Sequence, residues 1–126
     1  MPEPFKPEGW PTVVPRIITL HVADVAQFII SVLGASGEIQ AGRPTDLRIG
    51  ESIVMVSDGD GRRQPMPAFL YVYVADADAA YARALARGAQ PVEPPELMPW
   101  GDRRATFQDA WGNVWQVATH TVRRDA

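Results

Sequence analysis

Apolar positions along this chain change their spacing in a fixed order, and the order occurs twice. Val13–Leu20 is rich in β-branched residues and reads as a strand, with Pro15 marking a strand start or a sheet edge. Val22, Val25, Phe28, Ile29, Val32 and Leu33 then fall at the three- and four-residue spacing of one helix face, and Gly34 ends that helix. Three short strands are expected next, at Gly37–Ala41, Asp46–Ile49 and Ser52–Ser57, separated by Gly42, Arg43-Pro44 and Gly50-Glu51. The polar run Asp58–Gln64 interrupts the pattern, which then restarts. Ala68–Val74 predicts a strand, and Asp76 caps a helix that carries Ala77, Ala80, Tyr81, Ala84 and Leu85 up to Gly88. Gln90–Val92 predicts a short strand and Glu93–Gly101 a proline-rich loop. Arg104–Gln108 and Val114–Thr119 form a hairpin around Asp109–Asn113.

Each half is therefore β-α-β-β-β, with Leu33-Gly34-Ala35 in one half where Arg87-Gly88-Ala89 stands in the other. The repeat predicts an α+β fold of two similar modules, about 13–57 and 68–121, joined by a loop at 58–67 and preceded by an arm at 1–12. The whole of 13–126 is expected to be a single domain. In each module the helix covers one face of a curved sheet, and the two remaining faces are expected to enclose a cleft.

Within the last strand, Gln116 lies between Trp115 and Val117, so a polar amide faces away from two large apolar side chains. A ligand pocket or a metal would explain it, as would a core amide with its hydrogen bonds satisfied. Size and composition narrow the choice. The chain has 126 residues, 46% of them apolar and 21% charged, as expected for a single globular domain. A net charge of −3 argues against a protein that tracks nucleic-acid phosphates. No run approaches the ~18 apolar residues of a membrane span, and the start MPEPFKPEGWP has no signal-peptide character. The absence of cysteine excludes disulfides, thiolate nucleophiles and cysteine-bound zinc. A soluble, cytoplasmic protein is the expectation. Trp10, in an arm with four of the twelve prolines, favours docking of that arm on the domain.

Two βαβββ modules in this length resemble the vicinal oxygen chelate superfamily, which includes glyoxalase I, extradiol dioxygenases and bleomycin-resistance proteins. Three segments carry the resemblance: Glu8-Gly-Trp-Pro11 leading to Pro15; Phe28 through Leu33-Gly34-Ala35; and Trp100-Gly-Asp-Arg103 leading to Asp109-Ala-Trp-Gly-Asn113-Val-Trp-Gln116. The last is similar to a Y-G-D-R…D-P-x-G-N-x-W pattern of the phosphonate-operon B-like glyoxalase branch, with Trp100 for the usual Tyr and Ala110 for the usual Pro. The resemblance implies a cleft, often with a divalent ion held by one side chain from each of four inner strands. It puts those positions near Val14, Met55, Phe69 and Gln116. Three are apolar, and one neutral amide does not hold a divalent ion against water, so no metal cofactor is expected.

Alternation from these positions puts Val14, Arg16 and Ile18 on the cleft face, opposite Phe69, Tyr71 and Tyr73, while Leu70, Val72 and Val74 pack under the second helix. Candidate ligand-binding residues are Arg16, Ile18, Met55, Phe69, Tyr71, Trp100, Arg103 and Gln116. Arg16 either finds an anion, from the ligand or from a partner such as Asp109 or Glu51, or points to solvent. Asp102 is read as fixing its loop. Arg103 either does the same or closes over the ligand. Trp100 is a lid, an aromatic wall or a dimer contact. Trp111 and Trp115 are read as core or interface residues. His21 is read as a poor N-cap and His120 as a rim residue, and no Ser-His-Asp arrangement can be assembled. The expected function is binding of a small organic molecule in an aromatic cleft of a homodimer, without a catalytic metal. Two alternatives stand beside it. One is a divalent-metal-dependent lyase or dioxygenase; the other is a non-catalytic dimeric interaction module with a filled cleft.

Overall fold

A computed structural model describes residues 4–121, so the last residues assigned above to the domain and the first three of the arm lie outside it. The first module runs β1 (Arg16–Ile18), α1 (Val22–Leu33), β2 (Thr45–Ile49) and β3 (Ser52–Ser57), followed by a single 3-10 turn at Gly59–Gly61. The second runs β4 (Phe69–Tyr73), α2 (Ala77–Ala86), β5 (Gln90–Leu97), β6 (Asp102–Gln108) and β7 (Val114–His120). Two mixed sheets result, ordered β1-β3-β2 and β4-β7-β6-β5. In each, the strand before the helix pairs in parallel with the last strand of its module, and the remaining pairs are antiparallel. The fold is α+β, as the pattern predicts.

The helices follow their apolar stripes. Val25, Ala26, Phe28, Ile29, Val32 and Leu33 are the buried residues of α1, and Gly34 closes it at φ 71° with its N–H on the Ile30 carbonyl. In α2 the Asp76 carboxylate accepts from the Ala79 N–H at 3.0 Å. The helix-facing sides of both sheets merge into one core. Phe28 of α1 meets Phe107 and Trp111 of the second module edge to face, and Trp115, Phe107, Ile17 and Leu47 are fully buried. The Arg83 guanidinium of α2 donates to the Val32 carbonyl at the end of α1, tying the two helices together.

Four expectations need correction. The first strand is only three residues long, because Pro15 has no N–H to pair; it contributes its carbonyl to Met55 N–H instead. The expected strand at 37–41 does not form. Gly37, at φ 146°, passes so close to β2 that a Cβ there would lie 2.5 Å from the Asp46 carbonyl oxygen, and only Ser36 makes a bridge, to Arg48. Gln40 N–H is then taken by the Thr45 hydroxyl. Conversely, the loop expected after Val92 continues as β5. Its prolines are tolerated because β5 is an edge strand pairing only with β6, with register shifts around Glu93. Finally, the sheets do not close on each other: neither contributes a pairing strand to the other. A groove of about 340 Å³ separates them, bordered by Pro15, Gly50, Val54, Leu70 and Tyr73.

The arm does dock. Arg48 donates to the Gly9 carbonyl, Trp10 is half-buried, and Lys6 Nζ donates to the Trp10 carbonyl at 2.7 Å. No helix among the described residues is long and apolar enough to cross a membrane.

Candidate functional site on the open face of the second sheet

Register decides which side chains share a face. Leu70, Trp115 and Phe107 lie across one row, and Val72, Val117 and Ala105 across another; both rows face the helices. The opposite rows, Phe69 with Val114 and Gln108, Tyr71 with Gln116 and Thr106, and Tyr73 with Ala118 and Arg104, form the open face. Asp102 and His120 pair at its end. The face is aromatic and uncovered: Phe69 is 65% exposed, Tyr73 60% and Trp100 49%.

Its polar centre is Asp102, which is 1% exposed. Oδ2 accepts from Tyr71 Oη at 2.6 Å, Tyr73 Oη at 2.8 Å and Trp100 Nε1 at 3.0 Å, and Oδ1 lies 2.8 Å from His120 Nδ1. The tight turn at Met98–Gly101 folds Trp100 back over the carboxylate, with Gly101 N–H on the Met98 carbonyl and Met98 N–H on the Asp102 carbonyl. The Tyr71 hydroxyl above all, with the other donors, holds the Asp102 carboxyl well below the usual carboxylate range, outweighing the opposing effect of burial. Burial and the neighbouring carboxylate push the Tyr71 hydroxyl up. An ionised carboxylate only accepts, so His120 Nδ1 carries its hydrogen, and a neutral His120 presents a bare Nε2. Its side chain is 31% exposed. Arg104 extends across the same face, 5.5 Å from the Trp100 ring centre and 6.0 Å from that of Tyr71.

The candidate residues divide into three groups. Phe69, Tyr71, Trp100 and Gln116 gather on this face, where Gln116 makes a long 3.4 Å contact from Nε2 to the Thr106 hydroxyl. Arg16, Ile18 and Met55 lie on the open face of the other sheet. There Arg16 donates to Ser57 Oγ at 3.1 Å, not to Asp109 or Glu51, and Ile18 is buried against Gly59 and bridged to Met66. The groove between the sheets is lined neither by Arg16, Ile18 and Met55 nor by Phe69, Trp100 and Gln116. Arg103 points the other way. It makes a bidentate pair with Asp78 of α2, at 2.7 and 2.9 Å, which holds that carboxyl below its ordinary value. Among the candidates, only Tyr71 borders the groove between the sheets.

Tyr73, Arg104, Asp102 and His120 were not among the candidate site residues. Strand parity was the available signal, since Asp102 and Arg104 alternate with the buried Ala105 and Phe107. The positions at which the resemblance places metal ligands carry a half-buried Val14 and Met55, an exposed Phe69 and the amide of Gln116. Among the described residues no group of three or more His, Asp or Glu side chains is arranged to hold an ion. This donor set does not fit a divalent metal.

Comparison with known proteins agrees with the architecture. The family model for the Glyoxalase/Bleomycin resistance protein/Dioxygenase superfamily matches residues 19–117. Among solved structures, the chain is similar to TioX from Micromonospora sp. ML1, at 26% identity and a TM-score of 0.72, covering 86% of this chain and 97% of that one. It is also similar to TnmS3, an antibiotic binding protein from Streptomyces sp. CB03234 (23%, TM-score 0.70, 86% and 93% covered). A superfamily member from Sphaerobacter thermophilus DSM 20745 gives 23% identity and a TM-score of 0.68, with 84% and 94% covered. None of the curated proteins compared matches the chain. The family model spans both the βαββ first module and the βαβββ second module, and the chain belongs to the glyoxalase/bleomycin resistance/dioxygenase superfamily.

Proposed function

We propose that this protein binds a small planar organic molecule against the open face of the second sheet, in a cleft completed by a second copy of the chain. The observation that carries the reading is the exposure of Phe69, Tyr71, Tyr73 and Trp100 around a buried, fully engaged carboxylate. Rings held this way offer stacking surface without the ordering cost of mobile side chains. TnmS3, which shares this fold, is an antibiotic binding protein. The second copy supplies the opposing wall, because, of these four rings, only Tyr71 and Tyr73 border the groove between the sheets of one chain. The reading needs no metal, in keeping with the donor set.

A thermal-shift screen of planar aromatic compounds, followed by tryptophan-fluorescence titration of the hits, tests it. A ligand at a hundredfold excess over its Kd stabilises the native state by about 2.7 kcal/mol, so binders raise the melting temperature clearly. A panel in which no compound does so overturns the proposal. So does a stoichiometric divalent ion in elemental analysis of the purified protein.

A further inference from the structure

The Asp102 cluster has a chemical asymmetry that stacking alone does not use. Four donors are spent on the carboxylate: both tyrosine hydroxyls, the indole N–H and the imidazole Nδ1–H. What remains toward the open face is acceptor capacity, namely the Tyr71 oxygen and the bare His120 Nε2. One cation lies on the same face. Arg104 sits two residues from Asp102 on β6, about 7 Å along the strand, and its ion pair with Glu93 is loose at 4.0 Å. Glu93 itself accepts from the Thr106 hydroxyl at 2.6 Å, and Glu96 pairs with Arg104 in the backbone register. Arg103 is turned away and paired with Asp78.

We propose that this cluster is a proton-accepting anchor for weakly acidic phenols or enols: His120 takes the ligand's proton, and the ligand is held as its anion beside Arg104. The proposal rests on the reading above that this face holds the ligand. In the step, the ligand O–H bond breaks with its electron pair left on oxygen, and a bond forms between that proton and Nε2. Nδ1–H remains on Asp102, which neutralises the imidazolium. No other reactant is needed. His120 is thus a binding residue, and Asp102 is a positioning residue that sets its tautomer.

The test compares 4-nitrophenol, whose phenolate absorbs visible light, with its methyl ether 4-nitroanisole, which has no proton to give. At a pH below the free phenol's ionisation, the wild-type protein is expected to bind 4-nitrophenol with a visible phenolate band. Affinity for it should exceed that for 4-nitroanisole by about tenfold or more, as for a hydrogen bond to a charged group. His120→Gln, a rim substitution that retains amide hydrogen bonding, should abolish the band and equalise the two affinities. Equal binding of both probes without a band overturns the anchor and leaves the stacking face standing. A band that persists in His120→Gln overturns it too, as does failure to bind either probe. In that last case, the compound panel separately judges the cleft. Independently of any ligand, ring-nitrogen NMR should find hydrogen on His120 Nδ1 and none on Nε2 at alkaline pH, and the opposite tautomer overturns the proposal.

Discussion

A carboxylate that is 1% exposed and surrounded by donors must stay ionised to keep them. Asp102 therefore makes stability depend on pH. Its folded-state pKa lies below the unfolded value, so its contribution is fully present above the ordinary carboxylate range of about 4. It is lost as pH falls through that range toward the folded value. Asp102→Asn is expected to lower the melting temperature at neutral pH, with the gap from wild type narrowing below about pH 4; melting curves across pH 2.5–8, roughly, check this. Trp115 is a different case. It is fully buried, and its Nε1 donates to Asp109 Oδ2 at 3.0 Å, so Trp115→Ala should cost about 3–5 kcal/mol in urea denaturation. The turn at Asp109–Asn113 was legible in the sequence because its bonds are local: Oδ1 accepts from Trp111 and Asn113 N–H, and Oδ2 from the Asn113 amide. The Asp102 site was not, because Tyr71 lies 31 residues away and reaches it through two strand pairings.

At the scale of elements, two local imperfections invite correction. The α1 N-terminus has His21 as its N-cap, with no side-chain hydrogen bond to the first turn. His21→Asp should stabilise the protein by about 0.5–1 kcal/mol, through a cap bond and a favourable interaction with the helix dipole. In the β6–β7 hairpin, Gly112 N–H bonds to the Asp109 carbonyl at 3.3 Å, which makes Ala110 the second residue of a β-turn. Proline is favoured there, and Ala110→Pro should add about 0.4–1 kcal/mol by restricting the unfolded chain. Chemical denaturation midpoints measure both. Helices and the hairpin were readable because periodicity and capping are short-range. The segment at 37–41 and β5 were misread for the opposite reason. Composition does not say whether a neighbouring strand is present to pair, and that neighbour decided both outcomes.

For the whole molecule, the repeat announced the α+β architecture, but not how the two modules would meet. That depends on how the helices pack, through the Phe28–Phe107 contact and the Arg83–Val32 bonds. If a second copy completes the cleft, light scattering after gel filtration should report a dimer. Phe69→Asp, placing a charge on a ring 65% exposed in the monomer, should shift it toward monomer without loss of helicity. The shared core has one more consequence. A duplicated half suggests two parts able to vary separately, yet Phe28 of the first half is sandwiched by Phe107 and Trp111 of the second. Loosening either half strips apolar cover from the other. Native-state hydrogen exchange should therefore find the slowest amides of α1 and of β7 opening together, in one cooperative event, at every denaturant concentration. The repeat reads as two pieces, and packing joins them in one core.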